Sequence, residues 1–98
     1  MKVGAFISEY RLTVDTLDRL KSDHLGIFLV QNGVYHATVK EAGKASPILE
    51  KSSKIYALKD DLETRGFAAD SVDKRVKVIG YGDIVDLIFN EYPKLAWL

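Results

Sequence analysis

The side chains in this sequence that could do chemistry are few, and one kind is missing. There is no cysteine. No thiolate is available, so nucleophilic, redox and persulfide chemistry on cysteine are all closed to this chain. Two histidines, His24 and His36, stand without any Cys at zinc-ligand spacing, which makes a poor metal set. Asp60 and Asp61 are adjacent. They could hold a cation or share acid–base work with His36 and Tyr81, provided all converge on one substrate. The plainer reading is that one Asp caps a helix start and the other is solvated. His36 likewise reads as a surface or half-buried ring, and His24 as a solvated turn residue.

Asn32-Gly33 could present backbone N–H groups to an anion at a helix start. Its simpler role is a turn in which Gly takes an unusual backbone angle and Asn caps the next helix. No GxGxxG or GxxxxGK[ST] pattern occurs, so neither a dinucleotide nor a nucleoside triphosphate site is supported. The six serines lack a nucleophile-elbow context. No cofactor or metal site, and no catalytic residue, is expected.

The elements that must position these groups follow from the apolar pattern. Val3–Ile7, Ile27–Val30, Ile55–Leu58 and Val76–Ile79 are short runs rich in Val, Ile and aromatics, which predicts strands. The second run is continuous, as in a strand buried on both faces of a parallel sheet. The fourth alternates in part and suits a place near an edge. Between them, Thr13 could cap a helix bearing Val14, Leu17 and Leu20. A helix is expected from about Val34 to Ala42, stopped by Gly43. Residues 44–53 read mainly as loop. Lys59 to Arg65 reads as a short helix ended by Gly66. Gly82-Asp83 opens a last helix with Ile84, Val85, Leu87 and Ile88 on its apolar face, Asp83 and Asp86 in its first turn, and Pro93 beyond.

Strands alternating with helical crossovers predict one α/β domain over residues 1–98. It would be a small Rossmann-like three-layer sandwich, with a mostly parallel sheet of four to five strands and helices on both faces. Sites in such sheets form beyond the strand carboxyl ends. Gln31, Asn32, Gly33, Tyr35, His36, Asp60, Asp61 and Tyr81 are therefore the rim or interface candidates. Trp97 joins them because the apolar tail Leu95–Leu98 must dock on its own domain or on a neighbour.

Bulk properties narrow the class. With 98 residues, 47% apolar and 29% charged, the chain suits one folded domain with little stability to spare. Lys plus Arg equal Asp plus Glu at 14 each, which gives no electrostatic case for direct nucleic-acid binding. The near-zero net charge lowers self-repulsion and eases association. No apolar run is long enough to span a membrane, and MKVGAFISEY meets charge too early for a secretory signal. A cytoplasmic protein is expected.

Four stretches carry a family likeness: FLVQNGVYHA (28–37), IYALKDDLETRGF (55–67), VIGYGDIVDLI (78–88) and the terminal LAWL (95–98). They resemble the TusB/DsrH family of sulfur-relay subunits within the DsrE-like fold group. The resemblance implies a Rossmann-like fold and assembly with two related subunits as a dimer of heterotrimers. It implies service either to 2-thiouridine formation at the tRNA wobble position or to oxidation of stored sulfur. DsrH-type members bear a Cys near the position of Leu17, and its absence here leaves the TusB-type role: a non-catalytic structural subunit. The implied partners are DsrE-like small subunits that carry the Cys, or further copies of this chain. The competing reading is a small ligand-binding or acid–base module built on the polar strand-end rim.

Overall fold

The computed structural model describes residues 2–10, 24–39, 43, 46–92 and 94–97. The expected helix of Thr13, Val14, Leu17 and Leu20, the end of the expected Val34–Ala42 helix, and Pro93 lie outside these residues. Among the described residues are five strands: β1 (Lys2–Ile7), β2 (His24–Leu29), β3 (Lys54–Leu58), β4 (Val76–Ile79) and β5 (Lys94–Trp97). His24 is thus the first residue of a strand rather than part of a turn. The helices are α1 (Tyr35–Thr38), α2 (Lys59–Thr64) and α3 (Tyr81–Asn90). Short 3₁₀ turns cover Gln31–Val34, Pro47–Glu50 and Ala69–Ser71. None of the described helices is long and apolar enough to cross a membrane.

The sheet order is β4-β3-β2-β1-β5, and every pairing is parallel. Burial on both faces explains the continuous run in β2, where Ile27, Phe28 and Leu29 are all buried. Residues alternate between two cores. Ala5, Ile7, Ile27, Leu29, Ile55 and Ala57 pack against Val34 and Ala37 beside α1, Ile48 and Leu49 of the second turn, and Leu62 of α2. On the other face Phe28, Val30, Tyr56, Leu58 and Ile79 pack against Ile84 of α3 and Tyr92. The first four strands step in one direction across the sheet. The α3 connection returns from β4 to the far side of β1. Right-handed crossovers then require α3 on the opposite face from α1 and α2, as observed.

Residues 44–53 are more ordered than a loop. Pro47 starts the turn Pro47–Glu50, where its fixed φ suits a first helical position, and the Ser46 hydroxyl accepts from the Ile48 N–H at 3.3 Å. The tail Lys94–Trp97 is a strand on β1. The last helix begins at Tyr81, so Asp86 falls in its second turn; Asp83 accepts from the Gly80 N–H at 3.2 Å.

Two glycine positions decide packing. Gly4 and Gly26 are paired across β1 and β2 on the α3 face. A Cβ on Gly26 would lie 2.4 Å from the Tyr92 ring, so the missing side chain makes the seat in which Tyr92 is buried. A Cβ on Gly33 would lie 1.8 Å from the Ile7 carbonyl oxygen. That position is therefore glycine to admit close backbone approach. The positive φ expected of it belongs instead to Gln31, at 50°.

Candidate functional site

The strand-end rim assembles part of the expected set. Asp61 does not cap its own helix. The residue before α2 is Leu58, and no side chain caps there. The Asp61 carboxylate accepts instead from the Gln31 N–H at 2.7 Å, which holds Gln31 in its left-handed conformation. Asn32 does not cap a helix either. Its side-chain oxygen Oδ1 accepts from Arg65 Nε at 3.2 Å and from a second guanidinium nitrogen at 3.0 Å. Arg65 also donates to the Asp61 carbonyl at 3.1 Å and lies 3.7 Å from its carboxylate. Gln31, Asn32, Asp61 and Arg65 thus form one cross-link between the ends of β2 and β3, with Gly33 packed beneath on β1. Arg65 was absent from the expected set. Its four-residue spacing from Asp61 was the available signal.

His36 is buried and fully engaged. Its Nε2 lies 3.0 Å from the Glu9 carbonyl, which can only accept, so Nε2 carries the proton in the neutral ring. Its Nδ1 then accepts from the Ser46 hydroxyl at 2.7 Å. Burial lowers the imidazole pKa, and the bond to Glu9 partly opposes that shift. His36 ties the end of β1, α1 and the Pro47 turn together as a neutral group. Tyr10 packs on it at 5.0 Å, and Tyr35 lies edge-on between Tyr10 and Phe67. Glu9, Tyr10, Asn32, Tyr35 and Val39 line an open depression of about 440 Å³.

The structure does not gather the acid–base candidates around one point. His36 and Asp61 already serve structural partners. Asp60 is exposed beside Asp61, and Tyr81 stands exposed at the start of α3 on the other layer. A general base needs a free lone pair within reach of its substrate. On the α3 face, burial raises the Tyr92 phenol to about 12, aided by its neighbour Tyr56.

The larger exposed feature is apolar. Along α3, Tyr81, Val85 and Phe89 recur every four residues and form one stripe. All three are exposed, Phe89 to 83%. Val85 therefore faces outward, not into the core face expected for it. The sheet takes up only Ile84, with Leu87 and Ile88 half-buried. On β5, Leu95 and Trp97 are also exposed, Trp97 to 62%, although its ring meets Phe6 edge-on at 5.3 Å. Register places both on the α3 side of the sheet, opposite Gly4 and Phe6. Exposed apolar side chains in this number are a feature of protein contact surfaces.

Comparison with known proteins agrees with the geometry. The family profile described as "DsrH like protein" matches residues 8–93. The chain belongs to this family. It is 31% identical over 90 residues to Protein TusB of Photorhabdus laumondii, covering 92% of this chain and 93% of that one. It is 31% identical over 91 residues to Protein TusB of an Enterobacter species, with the same coverage. Protein TusB of Buchnera aphidicola is 38% identical over 71 residues, 72% of this chain and 73% of that protein. Among solved structures, protein Tm0979 from Thermotoga maritima, determined by solution NMR, superposes with a TM-score of 0.60. Its identity is 28%, over 93% of this chain and 94% of that one. The α/β fold and the membership of the TusB/DsrH family are thereby both established.

Proposed function

We propose that this protein is a non-catalytic binding subunit of a sulfur-relay complex, of the TusB type that serves tRNA 2-thiolation in the cytoplasm. One observation carries the reading. A member of a sulfur-relay family has no thiol to carry sulfur, and it leaves a row of large apolar side chains on α3 and β5 open to solvent. Chemistry must then reside on another subunit, and this chain contributes shape and contact area. The strand-end groups fit that role. The cross-link of Asp61, Arg65 and Asn32 and the buried His36 stiffen the subunit. The partners in this reading are DsrE-like small subunits bearing the Cys. RNA would be met through other components of the assembly.

Purification of the tagged chain from its source cell, followed by native mass spectrometry, tests the reading. A stable complex with a Cys-bearing DsrE-like subunit is the expected result, with labelled sulfane sulfur recovered on that subunit. Isolation as a lone monomer, or sulfur accepted and passed on by this chain alone, would overturn it.

A further inference from the structure

We infer that the open depression at the carboxyl ends of β1 and β2 binds a small organic cation, an ammonium or guanidinium group on a short carbon stem. The inference does not depend on the relay reading.

The site begins with two rings. Tyr10 and Tyr35 stand at 76° to one another with centroids 6.2 Å apart, so they make two walls of a corner. Each wall is supported, Tyr10 by the His36 ring at 5.0 Å and Tyr35 by Phe67 at 5.6 Å. Both tyrosines are half-buried, which fixes the rings and leaves part of each open to the depression. The face of an aromatic ring is its negative pole, and it attracts a cation within about 6 Å. At neutral pH the His36 ring behind Tyr10 is uncharged and does not oppose such a ligand.

Charge selects the same class of ligand. Glu9 lines the depression and is exposed. His36 engages its backbone carbonyl, which fixes the residue. Among the described residues its carboxylate meets no hydrogen-bond or ion-pair partner. The Asp61 carboxylate, by contrast, is committed to Gln31 and Arg65. The described lining residues, Glu9, Tyr10, Asn32, Tyr35 and Val39, include no Lys or Arg. An anion therefore finds no counter-charge there, whereas a cation finds a carboxylate and two ring faces. Asn32 adds one directional group. A guanidinium only donates, so Asn32 turns Oδ1 to Arg65 and keeps its Nδ2 protons for another partner. That amide suits a carbonyl carried beside the cation. The volume of about 440 Å³ is in the range of small-ligand clefts.

The test titrates the purified chain with n-butylguanidinium and with butylurea, which has nearly the same shape and no charge, and follows binding by two-dimensional NMR. n-Butylguanidinium should saturate, with shifts centred on Glu9, Tyr10, Asn32 and Tyr35. Butylurea should bind about tenfold more weakly or less. Glu9→Gln should weaken the cation about fivefold and remove the salt dependence of its binding. Tyr35→Leu should weaken it about threefold or more, and Tyr35→Phe, which keeps the ring face, should bind as wild type. Glu9→Gln alters an exposed side chain and leaves the backbone bond to His36 in place, so it carries the test even where Tyr35→Leu fails to fold. N-acetyl-arginine amide distinguishes the sources. Tighter binding than n-butylguanidinium supports an Arg side chain presented by a polypeptide, with its carbonyl on Asn32. Binding of n-butylguanidinium alone supports a free amine or guanidine. Failure of both cations to saturate, butylurea binding as tightly, or undiminished binding by Glu9→Gln would overturn the site.

Discussion

The two faces of the sheet solve the burial problem differently. The face under α1, α2 and the Pro47 turn is closed by small and aliphatic side chains: Ala5, Ile7, Ile27, Leu29, Ala57 and Leu62 are all buried. The α3 face is built from rings. Phe28 stacks on Tyr56 at 5.2 Å and meets Tyr92 edge-on at 5.6 Å, and Phe6 touches both Phe28 and Trp97. Among the described residues one ten-residue helix crosses this face, and it cannot cover five strands. Apolar side chains therefore remain exposed on α3 and β5. The closed face works as a fold-stabilising core. The other face combines a core with an open surface, which is where a binding subunit can meet its partner.

That contrast can be tested by matched substitutions. Leu62→Ala on the closed face should cost about 3 kcal/mol of stability, because the cavity it leaves is walled by buried neighbours. Urea denaturation will measure it, and a loss below about 1 kcal/mol would show the closed face to be looser than described. Gly26→Ala strikes the core part of the α3 face. The added methyl group collides with the Tyr92 ring, so a loss of about 2 kcal/mol is expected, together with a changed Tyr92 environment in near-ultraviolet circular dichroism.

The faces should also separate by pH. His36 belongs to the closed layer, and burial lowers its pKa below the ordinary 6.5. The unfolded chain then binds its proton more readily than the folded one. The His36 contribution is fully present above pH 6.5 and is lost as pH falls from there through the lowered value. Tyr92 belongs to the α3 face, and its pKa is raised from 10.0 to about 12. Its contribution is complete below pH 10 and is lost as pH rises toward 12. Denaturation midpoints across pH should lose their acid arm in His36→Gln and their alkaline arm in Tyr92→Phe. Retention of either arm would remove that residue from the account. The smallest effect is expected at Phe89→Ala. Its side chain is almost wholly exposed, so stability should change by less than about 0.5 kcal/mol, apart from any loss of partner binding. A larger loss would mean that the stripe is needed for the fold itself.

The sequence revealed the strands best where burial was complete. The runs in β2, β3 and β4 are apolar because both of their faces, or most of them, are covered, and that pattern is local. β5 was not visible as a strand. Unlike β4, its Lys-Leu-Ala-Trp pattern has no β-branched residue, and Lys94–Trp97 becomes extended only by pairing with β1, about ninety residues earlier. The first helical turn after β2 was placed correctly, but the roles inside it were exchanged. Gln31 takes the positive φ, Gly33 supplies clearance, and Asn32 binds Arg65 rather than a helix end. Asp61 followed the same course, because its partner Gln31 lies thirty residues away. His36 was expected at the surface or half-buried, and the Ser46 and Glu9 groups that permit its full burial lie ten and twenty-seven residues distant.

By itself, the amino-acid sequence determined the α/β class, the family and the absence of any sulfur-bearing thiol on this chain. Those follow from residue type and short-range pattern, which do not change on folding. The tertiary structure decided which polar groups became structural ties and which apolar side chains were left uncovered. Pairings across thirty to ninety residues have no local signature. Exposure on α3 was fixed only once the width of the sheet could be set against the helix laid over it.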